Sequence, residues 1–301
     1  PPPPPPPPPP HPTPPAPPEH YTTAESSAAS DVYKRHALDA AYDLSAPWFD
    51  WTVQKADARE RALNLVLEQC AADTTCPFHN EGDPFTAFDD LMARLDNEPI
   101  MVGDTEVGLG HAKYAVFTGL MFEEHPVSDW SRLMRALAEA QDGSGQLLRD
   151  LAKPPPRVES LLARECLDYL RSDWEPSPAT IETLLAVAPR LGPYHVEEHA
   201  CDAWPVDPDP PPPLTGTGAG PILVIGNTGD TSTPLESNRA LADHLEGGVL
   251  LIVESNNHSA YWMHPDNLCI TETVDRYLTD LELPTNESRC IPGDPQLHQP
   301  G

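Results

Sequence analysis

The stretch Pro221-Ile-Leu-Val-Ile-Gly226 decides how the chain is read. Four consecutive aliphatic residues without polar alternation mark a strand buried on both faces, as in a parallel sheet. Residues 235–245 then place apolar side chains at helical spacing. Val249-Leu-Leu-Ile-Val253 is a second unbroken apolar run, and residues 267–281 read as an amphipathic helix. Strand, helix, strand, helix at these lengths predicts a βαβ unit and an α/β fold. Two parallel strands are too few for a stable sheet. The stretch Arg35-His-Ala-Leu-Asp39, or polypeptide from elsewhere, has to complete it.

Working backwards, the character changes. Asp207-Pro-Asp-Pro-Pro-Pro-Pro213 followed by Leu214-Thr-Gly-Thr-Gly-Ala-Gly220 makes a stiff and then flexible linker over 207–220. Before it, residues 48–206 are mostly helical. Leu63, Val66, Leu67 and Cys70 share one helix face. Asp83 and Pro84 open a helix over 84–95, and Ser128 is placed to cap another carrying Leu133, Leu137 and Ala140. Residues 158–170 and 178–188 are further helices. Only residues 100–107 read as strand within this block. Residues 31–47 hold the residual core strand. Fifteen of the forty prolines lie in residues 1–18, so residues 1–30 are polyproline or disordered tail. Residues 221–301 form the terminal α/β part.

Eighteen Lys and Arg against 47 Asp and Glu leave a net charge of −29. That excludes a phosphate-tracking nucleic-acid binder and an anionic-membrane reader, both of which need basic surface. It suits a protein receiving cationic groups such as peptide amino termini. No apolar run is long enough to span a membrane. The six cysteines, Cys70, Cys76, Cys166, Cys201, Cys269 and Cys290, are an even set with no C-x-x-C pair. Three disulfides in an oxidising compartment are the expectation. Six cysteines allow fifteen connectivities, and sequence neighbours favour 70–76, 166–201 and 269–290. The sequon at Asn286 fits secretion.

The chemistry sits after the two late strands, because reactive groups in open α/β sheets lie beyond the carboxyl ends of the strands. The loop Gly226-Asn-Thr-Gly-Asp-Thr-Ser-Thr-Pro234 presents Asp230. The loop Glu254-Ser-Asn-Asn-His-Ser259 presents His258 beside it. Asp and then His on neighbouring strand ends is the orienting half of a Ser-Asp-His triad. Alone, Asp230 also suits a turn or a helix cap, and His258 a hydrogen-bonded loop. Their pairing, 28 residues apart, points to catalysis.

Gly226-x-x-Gly-Asp230-x-x-Thr-Pro234, then Asn257-His258, then a helix running to Leu283-Pro284 and Cys290, resembles the carboxyl-terminal domain of the tripeptidyl aminopeptidase-like α/β hydrolases, relatives of the proline iminopeptidases. Arg35-His-Ala-Leu-Asp39 resembles the strand after that family's nucleophile helix. Trp51-Thr-Val-Gln54 through Cys76-Pro77 resembles the start of its helical lid, and Glu165-Cys-Leu-Asp168 with Cys201-Asp-Ala-Trp-Pro205 the lid's end. The resemblance implies a partial α/β-hydrolase sheet under a large, mostly α-helical lid. It implies an extracellular serine exopeptidase that needs no cofactor, with a peptide amino terminus as partner, received by acidic residues such as Glu165 and Asp168.

One element of that pattern is missing. The serine should stand on a G-x-S-x-G elbow after a strand, and no such motif occurs. Gly143-Ser-Gly145 follows a helix, and Ser26 and Ser27 have no glycines around them. The expectation is therefore the lid and carboxyl-terminal part of a hydrolase whose nucleophile half is absent, inactive alone. A non-catalytic secreted binding protein on the same fold is the second reading. The third is a zinc peptidase, because His195-Val-Glu-Glu-His199 matches H-x-x-E-H and would put His195 and His199 on one helix face, with Glu198 between them.

Overall fold

The computed structural model describes residues 35–43, 45–123, 129–153, 163, 166–167, 177–195, 201, 204–209 and 215–300. The proline tail and most of the helix expected over 158–170 lie outside them.

Strand β4 (Ile222–Asn227) is buried at all six positions. Both of its faces therefore need cover, and the chain provides a helix for each. On one side Ile222 and Val224 pack with Leu250 and Ile252 of β5 (Gly248–Val253) against Leu241 and Ala242 of helix α8 (Leu235–His244) and Leu245 just after it. On the other, Leu223, Ile225, Leu251 and Val253 meet Cys269, Ile270, Val274 and Tyr277 of α9 (Leu268–Asp280). Each such aliphatic side chain contributes about 1.5–3 kcal/mol relative to exposure.

Strand β1 (His36–Asp39) joins β4 in parallel, with Leu38 opposite Val224 and Asp39 opposite Ile225. The Tyr277 hydroxyl donates to Pro221 O and accepts from His36 N at 3.0 Å, pinning β1 and β4 to α9. The sheet order is β1-β4-β5-β6-β7. Strands β6 (Ser288–Cys290) and β7 (Leu297–His298) were not anticipated. They are three and two residues long, too short for a periodic signal. The fold is thus a mixed, mostly parallel sheet with helices, in keeping with part of an α/β-hydrolase core. Among the described residues, the outer edge of β1 carries no strand.

Among the described residues, the regular structure between β1 and β4 is helical apart from one hairpin. The structure describes α1 (Trp48–Ala72), α2 (Pro84–Asn97), α3 (Leu109–Gly119), α4 (Trp130–Gln141), α5 (Gln146–Leu151), α6 (Pro178–Val187) and α7 (Gly192–His195). Residues 100–107 form the hairpin β2 (Ile100–Val102) and β3 (Thr105–Val107). Leu63, Leu67, Phe88, Leu95, Val116, Leu133 and Leu137 are shared by one core. Asp83 accepts from Thr86 N at 3.1 Å and caps α2. The cap of α4 is Asp129, which accepts from Arg132 N at 2.7 Å, and is one residue later than the Ser128 expected. A carboxylate there also complements the positive end of the helix dipole.

Three disulfides form, Cys70–Cys76, Cys166–Cys201 and Cys269–Cys290. The last ties α9 to β6. No helix among the described residues is long and apolar enough to cross a membrane.

Replacing Cys269 and Cys290 together by alanine removes a link across 21 residues of sequence. By restoring freedom to the unfolded chain it should cost roughly 3 kcal/mol of stability. Urea unfolding of the double variant against the parent measures this. A loss below about 0.5 kcal/mol would mean that β6 is held without the link.

Candidate active site

Asp230 sits three residues beyond the end of β4, in a loop that turns into α8. Its side chain is fully shielded from solvent, and every donor around it is accounted for. One oxygen accepts from Ser232 N at 2.8 Å and Thr233 N at 2.9 Å, and the other from Thr233 Oγ1 at 2.8 Å. These bonds satisfy the oxygens of a polar side chain held away from water.

His258 follows β5. Its Nδ1 lies 2.9 Å from Asp230 Oδ2 and 3.2 Å from Oδ1. The imidazole keeps 28% of its side-chain surface exposed. With Nδ1 committed to the carboxylate, Nε2 is the nitrogen that can exchange a proton with something else. Burial pulls the ring's pKa down. The hydrogen bond and charge of Asp230, with the charge of Asp39 behind them, outweigh it and leave the value raised above 6.5.

The two loops touch because Gly229 has no side chain; a Cβ there would collide with Asn256. Gly229 N donates to Ser255 O at 2.9 Å. Asn227, the last residue of β4, donates Nδ2 to the carbonyls of Asn257 and Ser259 at 2.5 and 2.7 Å. Asp39, at the end of β1, accepts from Ser259 Oγ and from the amides of Ala260 and Tyr261. Ser255 Oγ lies 2.9 Å from His264 Nε2, whose pKa burial lowers.

The helical block closes over this loop. The segment after α3 accepts His258 N at Met121 O, 2.8 Å. Glu123 N donates to Asn257 Oδ1 at 2.8 Å, and the Phe122 ring lies 6.4 Å from that of His258. None of Asn227, Asp39, Thr233 or the 121–123 segment was singled out as part of the site from sequence. Asp39 ends a recognisable strand, so the strand-end rule could have flagged it. The contact from 121–123 had no local signal.

Of the other candidates, Glu165, Asp168, Glu198 and His199 lie outside the described residues. His195 is buried on the four-residue helix α7, 5.1 Å from the Phe117 ring and 3.4 Å from Arg59 Nη1. No group of three metal-binding side chains gathers among the described residues. Ser144 is exposed at the corner between α4 and α5, its N–H held by Glu139 O. No serine hydroxyl among the described residues lies within hydrogen-bond reach of His258.

Residues 188–290 match the family described as TAP-like protein. Over 279 residues the chain is 25% identical to a protein of Mycobacterium bovis named as a hydrolase, and equally to carboxylesterase B of Mycobacterium tuberculosis. Each alignment covers 85% of this chain and 51% of the relative. The chain thus spans about half the length of these relatives.

A histidine whose folded pKa is raised stabilises the fold most when protonated. That contribution is complete below the ordinary value of 6.5 and is lost as pH rises through the raised folded value. The stability deficit of His258→Gln against the parent should therefore be largest at low pH and shrink as pH rises. Urea midpoints across a pH series test this, and a deficit independent of pH would contradict the pairing.

Proposed function

We propose that this chain, whose residues 188–290 match the TAP-like family, supplies the acid and base of a Ser-Asp-His triad. The hydrogen-bonded pair Asp230–His258 at adjacent strand ends is the observation that carries this reading. The whole enzyme would be a secreted exopeptidase-like hydrolase acting near the amino terminus of peptides. The charge of −29 and the three disulfides support that finer reading. The names of the relatives, a hydrolase and a carboxylesterase, support acyl transfer in general.

In that reaction His258 Nε2 takes the proton of a serine hydroxyl as its oxygen attacks the acyl carbon. Asp230 keeps Nδ1–H pointing away from the serine and balances the imidazolium charge. The proton then passes to the leaving amine or alkoxide, and a second cycle with water releases the acyl group. The serine and the oxyanion donors would belong to polypeptide that pairs with the outer edge of β1, which carries no strand among the described residues. A strand there would end beside Asp39 and His258, on the side of the sheet where both loops emerge.

Two preparations test the proposal, the 301-residue chain alone and the longer polypeptide carrying the elbow serine. The longer one should hydrolyse aminoacyl or peptidyl substrates and label with a fluorophosphonate. In it, His258→Ala should lower kcat by roughly 10⁴-fold or more, because base and nucleophile act as a unit. The chain alone should do neither. Turnover and labelling by the 301 residues alone would refute the division of the triad. Failure of the longer form to label would favour the binding-protein reading.

A further inference from the structure

We propose that Asp39 is a second acidic positioning residue of this site, holding His258 in place from the end of β1, two strands away from β5, through the loop that follows the histidine. This rests on the triad reading above and extends it to a residue outside the triad.

The geometry is specific. Three consecutive residues directly after His258 converge on one carboxylate. Ser259 Oγ reaches Asp39 Oδ2 at 2.6 Å, Ala260 N reaches Oδ1 at 2.9 Å and Oδ2 at 3.1 Å, and Tyr261 N reaches Oδ2 at 2.9 Å. Charge-assisted bonds of this kind are roughly twice as strong as neutral ones. Ser259 has φ of 72°, a left-handed conformation that is unfavourable for a non-glycine residue. Such a conformation persists only where surrounding contacts impose it. Here Asp39 binds the side chain of the strained residue and the next two amides.

Asp39 is itself held. Its strand is locked to β4 in register, and Ala40 N donates to Ile225 O at 3.1 Å. The loop bearing the base is therefore grasped from three sides. Asn227 takes the carbonyls of 257 and 259, Met121 O takes the amide of His258, and Asp39 takes the donors of 259–261. Of these only Asp39 brings charge. The other titratable groups around the loop are Asp230, Glu123, which accepts from Asn256 at 3.3 Å, and His264 behind Ser255. A neutral acceptor would serve for shape alone. A carboxylate close enough to help raise the pKa of His258 also tunes the base.

The test compares Asp39→Asn, Asp39→Ala and Asp39→Glu in the full enzyme, with Ser259→Ala as a loop control that keeps the charge. The His258 ring is titrated by NMR, and kcat and KM are followed across pH. In Asp39→Asn the His258 midpoint should fall, carrying the acid limb of kcat/KM to lower pH. Asp39→Ala should lower kcat on the order of 100-fold with little change in KM, the size of effect that a misplaced base produces. Asp39→Glu should recover part of kcat and most of the midpoint. Ser259→Ala should leave the midpoint near that of the parent.

A folded Asp39→Asn with an unchanged His258 midpoint and kcat within about twofold of the parent overturns the proposal. So does loss of folding in both neutral variants, which would make Asp39 a residue of the fold first. The NMR arm needs no turnover. If His258→Ala leaves activity intact, the triad reading fails while the midpoint shift still reports on Asp39 by itself.

Discussion

Strand β4 is buried at every position, and that constraint organises the rest of the molecule. A strand with no exposed face must be flanked by strands on both edges and by helices on both faces. β1 and β5 supply the edges, and α8 and α9 the faces. Parallel pairing of β1, β4 and β5 then brings three carboxyl ends to one side. Asp39, Asn227, Asp230 and His258 emerge there together. The site is a consequence of strand direction before it is a consequence of any loop.

Charge is handled unevenly in this molecule. The chain carries a net charge of −29, whose self-repulsion water and salt screen at the surface. The interior carboxylates are each matched to donors. Asp230 takes two amides, a hydroxyl and an imidazole. Glu60, buried in the helical block, accepts from Leu191 N at 2.9 Å and from Arg190 N, while burial still raises its pKa. Asp39, only half-buried, takes a hydroxyl and two amides. The two beside His258 differ from Glu60 in what lies next to them: both load negative charge around a partly exposed imidazole.

Among the described residues, directional hydrogen bonds join the helical block to the sheet. Met121 O, Glu123 N and Asn257 Oδ1 tie the end of α3 to the His258 loop. Asp43 N donates to Ser237 Oγ at 2.9 Å, and the Asp43 carboxylate lies 3.0 Å from His244 Nδ1, tying the start of the block to α8. The block thus reaches the site through residues 121–123 near its middle, and α8 through the residues at its beginning. Hydrogen bonds of this number hold orientation more than they hold stability, each worth about 1 kcal/mol net.

The sequence alone determined the elements with strong periodic or unbroken apolar signals. Residues 222–225 and 249–253 announce buried strands, Asp83-Pro84 announces a helix start, and an even, spaced set of cysteines announces disulfides. It also presented Asp230 and His258 as strand-end residues, since that needs only local order along the chain. Tertiary structure decided the remainder. The short strands at 288–290 and 297–298 carry too few residues for a pattern, and exist because β5 has an edge to fill. Asp39 and His258 are separated by more than two hundred residues. Only the parallel register of β1 on β4 brings that carboxylate to the residues after the histidine. Met121 reaches His258 through the packing of a whole helical block, and no spacing along the chain encodes that contact.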